Sequence, residues 1–368
     1  MHKAYNFRLY PNKSQQTVIN QTLGSCRFVY NYYLDRRIEA YKTVKETLNY
    51  TKCAANLKEL KKELPWLKAV DSIALQQSLR DLDVSYKNFF QKRAGFPKFK
   101  SRRNNKQSYR TQMVNNNIKV MGDKLVLPKI GAVSFAKSRE IEGNITSVTV
   151  KKTASGKYFA SVLADVHTPK SLKVSSQKVG IDLGLRDLAV LSTGEAIKNP
   201  KTLAEAERKL QKMQRELSRK QKGSKNRNKA RIKLAIQHEK VANIRKDFLH
   251  KLSTRLIHEN QVICLETLSP KGMMKNRRLS KAIGDASWGT FKQMLLYKAD
   301  WYGRTVHFVD RFFPSSQICS ACGCRNKEIK DMTIRQWQCP HCQALHQRDI
   351  NASINILQQG LVELGMIA

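Results

Sequence analysis

The chain runs to 368 residues and sets 68 Lys and Arg against 29 Asp and Glu, a formal charge of +39. That surplus exceeds what solubility requires and demands a polyanion, nucleic acid first among them, while 41% apolar residues describe a globular chain with room for two or three cores. No apolar run approaches the roughly 18 residues of a bilayer span, and the opening MHKAYNFRLYP lacks a signal peptide's apolar stretch and cleavage site, so the expectation is a cytoplasmic, nucleoid-associated protein with no membrane partner.

In chain order, AYNFRLY reads as a strand stopped at Pro11, followed by a helix entered at Ser14. From there to about Phe90 apolar residues recur at helical spacing, as in Val18, Leu23, Phe28 and Val29, then Leu57, Leu60 and Leu64, then Ile73, Leu75, Leu79, Leu82 and Tyr86. Pro65 interrupts the pattern, so the segment is a lobe of several helices. From Val84 to Gly122 there is no acidic residue, while Lys87, Lys92, Arg93, Lys98, Lys100, Arg102, Arg103, Lys106, Arg110 and Lys119 interleave with Tyr86, Phe89, Phe90, Phe96, Phe99 and Tyr109. Cations alternating with rings suit phosphates and stacked bases. The plain alternative is a solvated basic helix whose aromatic residues face a core.

Past Gly95-Phe96-Pro97, short strands are expected at 118–120, 124–127, 132–135, 145–153 and 157–166, the last two forming a hairpin around a Gly-bearing loop. A small antiparallel barrel is the simplest closure, with the N-terminal strand paired into it and the helical lobe as an insertion. After the polar linker Thr168–Gln177 a second domain opens with the strands VGIDLG and LAVLS and a third beyond Ser192-Thr193-Gly194. A basic helical hairpin follows from about Ala204 to His258, broken at Lys222-Gly223-Ser224, with Val241, Ile244, Phe248, Leu252 and Leu256 as one apolar stripe. The strand VICLE, a helix at about Trp288–Trp301 and the strand TVHFV complete a mixed α/β sheet.

Three carboxylates stand in chemically suggestive places. Asp182 ends the strand VGID before a Leu-Gly turn, at the sheet edge where α/β proteins bind ligands; Glu266 ends VICLE in the same way. Asp349 opens a short helix marked by Ile350, Ala352, Ile354, Ile356 and Leu357. Converging, the three could hold two divalent ions for phosphodiester hydrolysis, and their hard oxygen ligands favour Mg²⁺ or Mn²⁺. Each acid taken alone reads equally well as a turn, cap or surface residue, and convergence is the expectation to be tested.

Cys319-x-x-Cys322, sixteen residues and Cys339-x-x-Cys342 match a closed four-thiolate zinc site, structural because it leaves no open coordination position. Cys324, His341 and His346 are read as bystanders. Cys26, Cys53 and Cys264 are isolated in apolar surroundings, consistent with reduced thiols.

Together these segments resemble the TnpB family, transposon-encoded RNA-guided nucleases related to the miniature type V CRISPR effectors. The resemblance spans nearly the whole chain: FRLYPNKSQ, GSCRFVYNYYL, ALQQSL, GFPKFK, SYRTQ, NNNIKV, GIDLGLRDLAVLS, IRKDFLHKLST, MMKNRRLSKAIGDASWGTF, YKADWYGR, FPSSQICSACG and WQCPHCQALHQRDINASINI. It implies an α+β multidomain protein: a wedge β-barrel at 1–13 and 110–170, a helical recognition lobe at 14–109, a RuvC-like RNase H fold at 178–318 and 343–368, and a zinc ribbon inserted at 319–342. By motif, the family's catalytic acids fall on Asp182, Glu266 and Asp349. It further implies a guide RNA from the transposon end, a double-stranded DNA target cut beside a short transposon-adjacent motif, and a role in transposon maintenance, with a monomer favoured. On matching positions Tyr50, Gln76 and Thr111 are candidate contacts to that motif, Gln suiting adenine and Thr a thymine methyl. The chain departs from the family at Thr267 and Gln347, where Asp is frequent, and its tail after Asp349 is short. The competing readings are an RNA-guided repressor without cleavage, which would lack a triad acid, a strand-joining transposase, and an inactive zinc-ribbon RNA-binding protein.

Overall fold

Pro11 has no amide to give to a ladder. The computed structural model, which describes residues 1–103, 107–166, 171–331 and 333–367, accordingly ends β1 (His2–Tyr10) just before it. Lys106 of the basic segment and residues 168–170 of the expected linker lie outside the described residues. Helix α1 (Lys13–Val44) begins earlier than Ser14: Asn12 is the cap, its Oδ1 accepting from Gln15 N at 2.9 Å while Asn12 N donates to Gln15 Oε1 at 3.0 Å. Helix α2 (Tyr50–Glu63), a 3₁₀ turn at Pro65–Ala69 and α3 (Ser72–Phe90), capped by Asp71, complete the helical segment. The chain divides into two compact units, Met1–Thr168 and Pro169–Ala368.

In the first unit β1 joins β2 (Gln107–Gln112), β3 (Lys119–Met121), β4 (Lys124–Leu127), β5 (Gly131–Phe135), β6 (Asn144–Lys152) and β7 (Tyr158–Asp165) in one sheet. The order is β2-β6-β7-β1-β5-β4-β3, antiparallel throughout. The N-terminal strand thus pairs into the sheet, between β7 and β5, and α1 to α3 form an insertion between β1 and β2. Two expectations are corrected. The sheet is not closed by hydrogen bonds, since β2 and β3 stand at its two ends with no ladder between them among the described residues. Residues 107–109, assigned to the helical lobe, belong to β2, whose two inward residues, Tyr109 and Thr111, give too brief an alternation to announce a strand. Tyr5, Phe7 and Leu9 of β1 share one core with Ile19, Val29, Tyr33 and Leu34 of α1 and Leu75, Leu79 and Leu82 of α3.

The second unit contains β8 (Lys178–Leu183), β9 (Asp187–Leu191), β10 (Ala196–Lys198), α4 (Thr202–Ser218), α5 (Lys225–Glu259), β11 (Val262–Glu266), α6 (Pro270–Met273), α7 (Ser280–Ala286), α8 (Trp288–Tyr302), β12 (Thr305–Val309), β13 (Gln336–Gln338), β14 (Leu345–Gln347) and α9 (Arg348–Glu363). Its sheet runs β10-β9-β8-β11-β12, antiparallel through β10, β9 and β8 and parallel through β8, β11 and β12, the mixed sheet expected. Helix α5 serves two partners. Leu234 and Val241 pack with Leu210 of α4, whereas Leu249, Leu252 and Leu256 join the sheet core. Ile244, predicted to belong to the stripe, is 49% exposed because it falls where support passes from one partner to the other. Buried Asp285 of α7 ties these elements together, accepting from Thr202 Oγ1 at 3.1 Å, Leu203 N at 3.0 Å and Arg245 Nη1 at 3.0 Å. No helix of the described residues is long and apolar enough to cross a membrane.

Candidate active site and metal centre

Alternation along two parallel strands decides where the first two acids point. Val179 pairs with Ile263 and Ile181 with Leu265, and all four lie in the core beneath α5 and α8. Gly180 pairs with Cys264, and Cys264 belongs instead to the core shared with Ile356 and Leu361 of α9. With a side-chain period of two, Asp182 and Glu266 therefore share the face covered by α9, on neighbouring strands about 4.8 Å apart. Asp182 is the penultimate residue of β8 and Glu266 the last of β11, both at the carboxyl edge of the sheet.

Helix α9 reaches this face because two glycines let it. A Cβ on Gly180 would lie 2.0 Å from Ser353 O and 2.8 Å from Leu357 Cβ, and one on Gly360 would lie 2.5 Å from Cys264 Sγ. Close contact at both points leaves the first turn of α9, with Asp349 in it, one turn before Ser353. No side chain caps this helix, and Asp349 meets the positive end of its dipole. Asp349 also faces Arg335, whose Nη1 lies 3.4 and 3.3 Å from its two carboxylate oxygens.

The charges of Glu266 and Asp349 both reach Asp182. Burial pushes Asp182 up to about 8, with the charges of Glu266 and then Asp349 adding to the shift and Arg348 and Arg335 opposing it. Burial pushes Glu266 up to about 7. Values raised by burial mark carboxylates whose charged form a hard divalent cation such as Mg²⁺ would stabilise. The acids are not drawn tight: among the described residues, the four cysteines are the set of three or more His, Cys, Asp or Glu whose ligand atoms all lie within 4.8 Å of one another. Thr267, one of the departures noted above, donates from Oγ1 to Val309 O at 2.8 Å and pins the end of β11 to β12. Gln347, the other, is the exposed N-cap residue of α9.

Cys319 Sγ lies 3.6 Å from Cys342 Sγ, and Cys322 Sγ 3.7 Å from Cys339 Sγ. Thiolates at 2.3 Å from a tetrahedral zinc would be separated by about 3.8 Å, so the four sulfurs fit that ion. Backbone N–H groups of Cys342 and His341 hold Cys339 below the usual thiol range, whereas Cys319 and Cys322 are raised, so the metal-free thiols share their protons unevenly. His346 is closer than a bystander, with Nε2 3.0 Å from Cys319 Sγ and its ring against Trp337. Two buried asparagines of α9 hold this module. Asn351 accepts from Ser320 N at 2.9 Å and donates to Ile318 O at 2.7 Å, and Asn355 donates to Ser315 O at 2.7 Å and Ile318 O at 2.6 Å. The cysteine module is thus fastened to the helix that carries Asp349.

The other sequence candidates lie in the first unit. Gln76 is exposed on α3, and half-buried Tyr50 opens α2 with the Arg80 guanidinium 4.8 Å from its ring centre. Thr111 is 1% exposed and its hydroxyl has no hydrogen-bond partner among the described residues, because alternation along β2 turns it into the core. Its expected role as a surface contact is corrected accordingly. Arg335, Asn351, Asn355 and His346 were not singled out from the sequence as parts of the site. They act through tertiary contacts that spacing does not encode, although RDINASINI places both asparagines one turn apart on the face of the helix that carries its small residues.

Three family models match the chain: "Probable transposase" (OrfB_IS605) over residues 161–277, "Cas12f1-like, TNB domain" over 288–356 and "Helix-turn-helix domain" (HTH_OrfB_IS605) over 1–46. Residues 1–46 here form β1 and the single long helix α1. The chain is 40% identical over 365 residues to a Streptomyces pristinaespiralis protein provisionally named RNA-guided DNA endonuclease, covering 98% of this chain and 89% of the relative. It is 33% identical over 375 residues to Escherichia coli K12 InsQ, which carries the same provisional name, covering 97% and 92%. A solved Cas12f1–sgRNA–target DNA complex contains a chain of like fold, with a TM-score of 0.57 at 14% identity and coverage of 97% and 98%. Similarity this high, sustained along nearly the full length of both chains, decides the matter: the chain belongs to the TnpB family.

Proposed function

We propose that the protein is an RNA-guided endonuclease that hydrolyses double-stranded DNA beside a short transposon-adjacent motif. What supports this reading is the placing of Asp182 and Glu266 side by side at the carboxyl edge of the sheet, on the face covered by α9, with the charges of Glu266 and Asp349 acting on a buried Asp182. In this reading residues 178–318 and 343–368 form a RuvC-like nuclease domain, 319–342 its zinc-ribbon insert, 1–13 and 107–170 a wedge, and 14–106 a recognition lobe. The three acids would hold Mg²⁺ or Mn²⁺, which when bound activates water and stabilises the leaving oxygen of a phosphodiester. Asp182 and Glu266 supply oxygens from rigid strands, so their spacing is set by the sheet. Asp349 supplies its own from a helix docked by Gly180 and Gly360, and Arg335 fixes the orientation of its carboxylate. Zinc on Cys319, Cys322, Cys339 and Cys342 is structural. The basic segments hold guide RNA and heteroduplex, base pairing supplies the target sequence, and Tyr50 and Gln76 are the candidate readers of the adjacent motif.

The test is co-expression with the transposon-end transcript, then challenge of plasmids that carry a guide-matched target beside randomised flanks. Mg²⁺-dependent cutting of a flank-defined subset is expected, reduced at least about a hundredfold by Asp182→Ala, the scale seen when one preorganised electrostatic partner is removed. Guide-dependent binding without cutting would replace this reading with that of a repressor.

A further inference from the structure

A cavity of about 770 Å³ opens in the first unit beside the C-terminal end of α3. Its floor is apolar, with Ile38, Leu48 and Tyr86 packed onto the core. Its walls are rings: Tyr86 lies 6.3 Å from Phe90 with planes 23° apart, and Phe96 stands edge-on to Tyr86 at 5.7 Å and to Phe89 at 5.3 Å. Phe90 is 73% exposed and Phe96 46%, a concentration of ring surface in water that marks a binding site. The acids at the cavity are already paired, Asp83 with Arg37 at 2.7 Å and Glu46 with Lys52 at 2.8 Å. The elements around it carry exposed Lys42 on α1 and exposed Lys87, Lys92 and Arg93, the last three within a stretch where no acid occurs from Val84 to Gly122.

We propose that this cavity takes an unpaired base of the guide RNA, the rings stacking on the base and the lysines and arginine meeting the flanking phosphates. Charge complementarity selects a nucleic acid over a second copy of this chain, which would bring another +39 to the same face. Looped RNA presents unstacked bases, whereas a duplex keeps its bases stacked. The inference rests on the RNA-guided reading and adds a site which that reading does not require.

The test uses the full-length Asp182→Ala protein and labelled oligo(rA) of about 16 nucleotides, the upper site size of single-strand binders, against duplex RNA and oligo(dA) of equal length. Phe90→Leu with Phe96→Leu keeps both side chains apolar and removes the rings. The dissociation constant for oligo(rA) is expected to rise about tenfold, the effect of losing one stacked base. Phe90→Trp should retain binding, duplex affinity should not change, and ultraviolet crosslinks should map to the peptide bearing Phe90 and Phe96. Circular dichroism checks the variants, whose altered side chains are exposed. Equal binding by parent and double variant overturns the pocket and leaves the RNA-guided reading standing. Failure of the parent to bind any RNA overturns both. A loss confined to oligo(dA), or a change of oligomeric state by sedimentation with RNA binding intact, also overturns the proposal.

Discussion

At the scale of single residues, Asp182 concentrates the conflict between folding and chemistry. A carboxyl raised to about 8 in the folded chain, against about 4 unfolded, binds its proton more tightly when folded. Between those values the folded state holds more protons, so this group's contribution to stability falls as pH rises from about 4 to about 8. Melting of metal-free parent and Asp182→Asn proteins should therefore diverge across that window, the variant gaining on the parent as pH increases. Added Mg²⁺ should raise the parent's midpoint more at pH 8 than at pH 5. A parent that gains on the variant with rising pH would contradict the burial of Asp182 among like charges. Thr111 shows the limit of reading residues singly: its type suits a thymine methyl, but its place in β2 turns it inward.

At the scale of elements, the site depends on how closely α9 lies on β8 and β11. Gly180→Ala would set a Cβ 2.0 Å from Ser353 O, a clash of that Cβ with main-chain oxygen that no rotamer change can relieve. A loss of about 1–3 kcal/mol or more is expected, with cleavage falling further than stability alone explains, because Asp349 moves with the helix. Gly284→Ala, with nothing within 4 Å, is the neutral control in the same denaturant titration. The cysteine module is small, with Cys319, Ile329, Trp337 and Cys339 as its buried residues, so its order depends on the ion. Stripping zinc should shift the emission of Trp337 to the red and reduce cleavage in parallel, through Asn351 and Asn355. Unchanged Trp337 emission in the stripped protein would refute a structural metal. Most elements were legible because their pattern is strong, as in the helical spacing of α3 and the unbroken apolar run of β11. Strand β2 was not, having two inward residues, and neither was the exposure of Ile244, which depends on where α5 changes partner.

At the scale of the whole molecule, charge governs behaviour before any site does. A chain of formal charge +39 releases counterions from every phosphate it neutralises, each adding about 0.9 to the logarithmic salt slope on duplex DNA. Binding of duplex DNA, followed by fluorescence anisotropy across a salt series, should show a slope of about −5 or steeper. A flat response would leave the basic excess without a partner. The sequence by itself determined the large positive charge, most of the strands and helices and the four-thiolate cluster, and it singled out three acids at element ends, because charge, periodicity and ligand spacing are local properties of a chain. Tertiary structure alone decided that Asp182 and Glu266 share the α9 face, that Gly180 and Gly360 admit the helix to it, that Arg335 meets Asp349, and that five aromatic residues line one cavity. Those facts depend on which strand lies beside which and which face a helix covers, relations between segments far apart in the chain that no local pattern records.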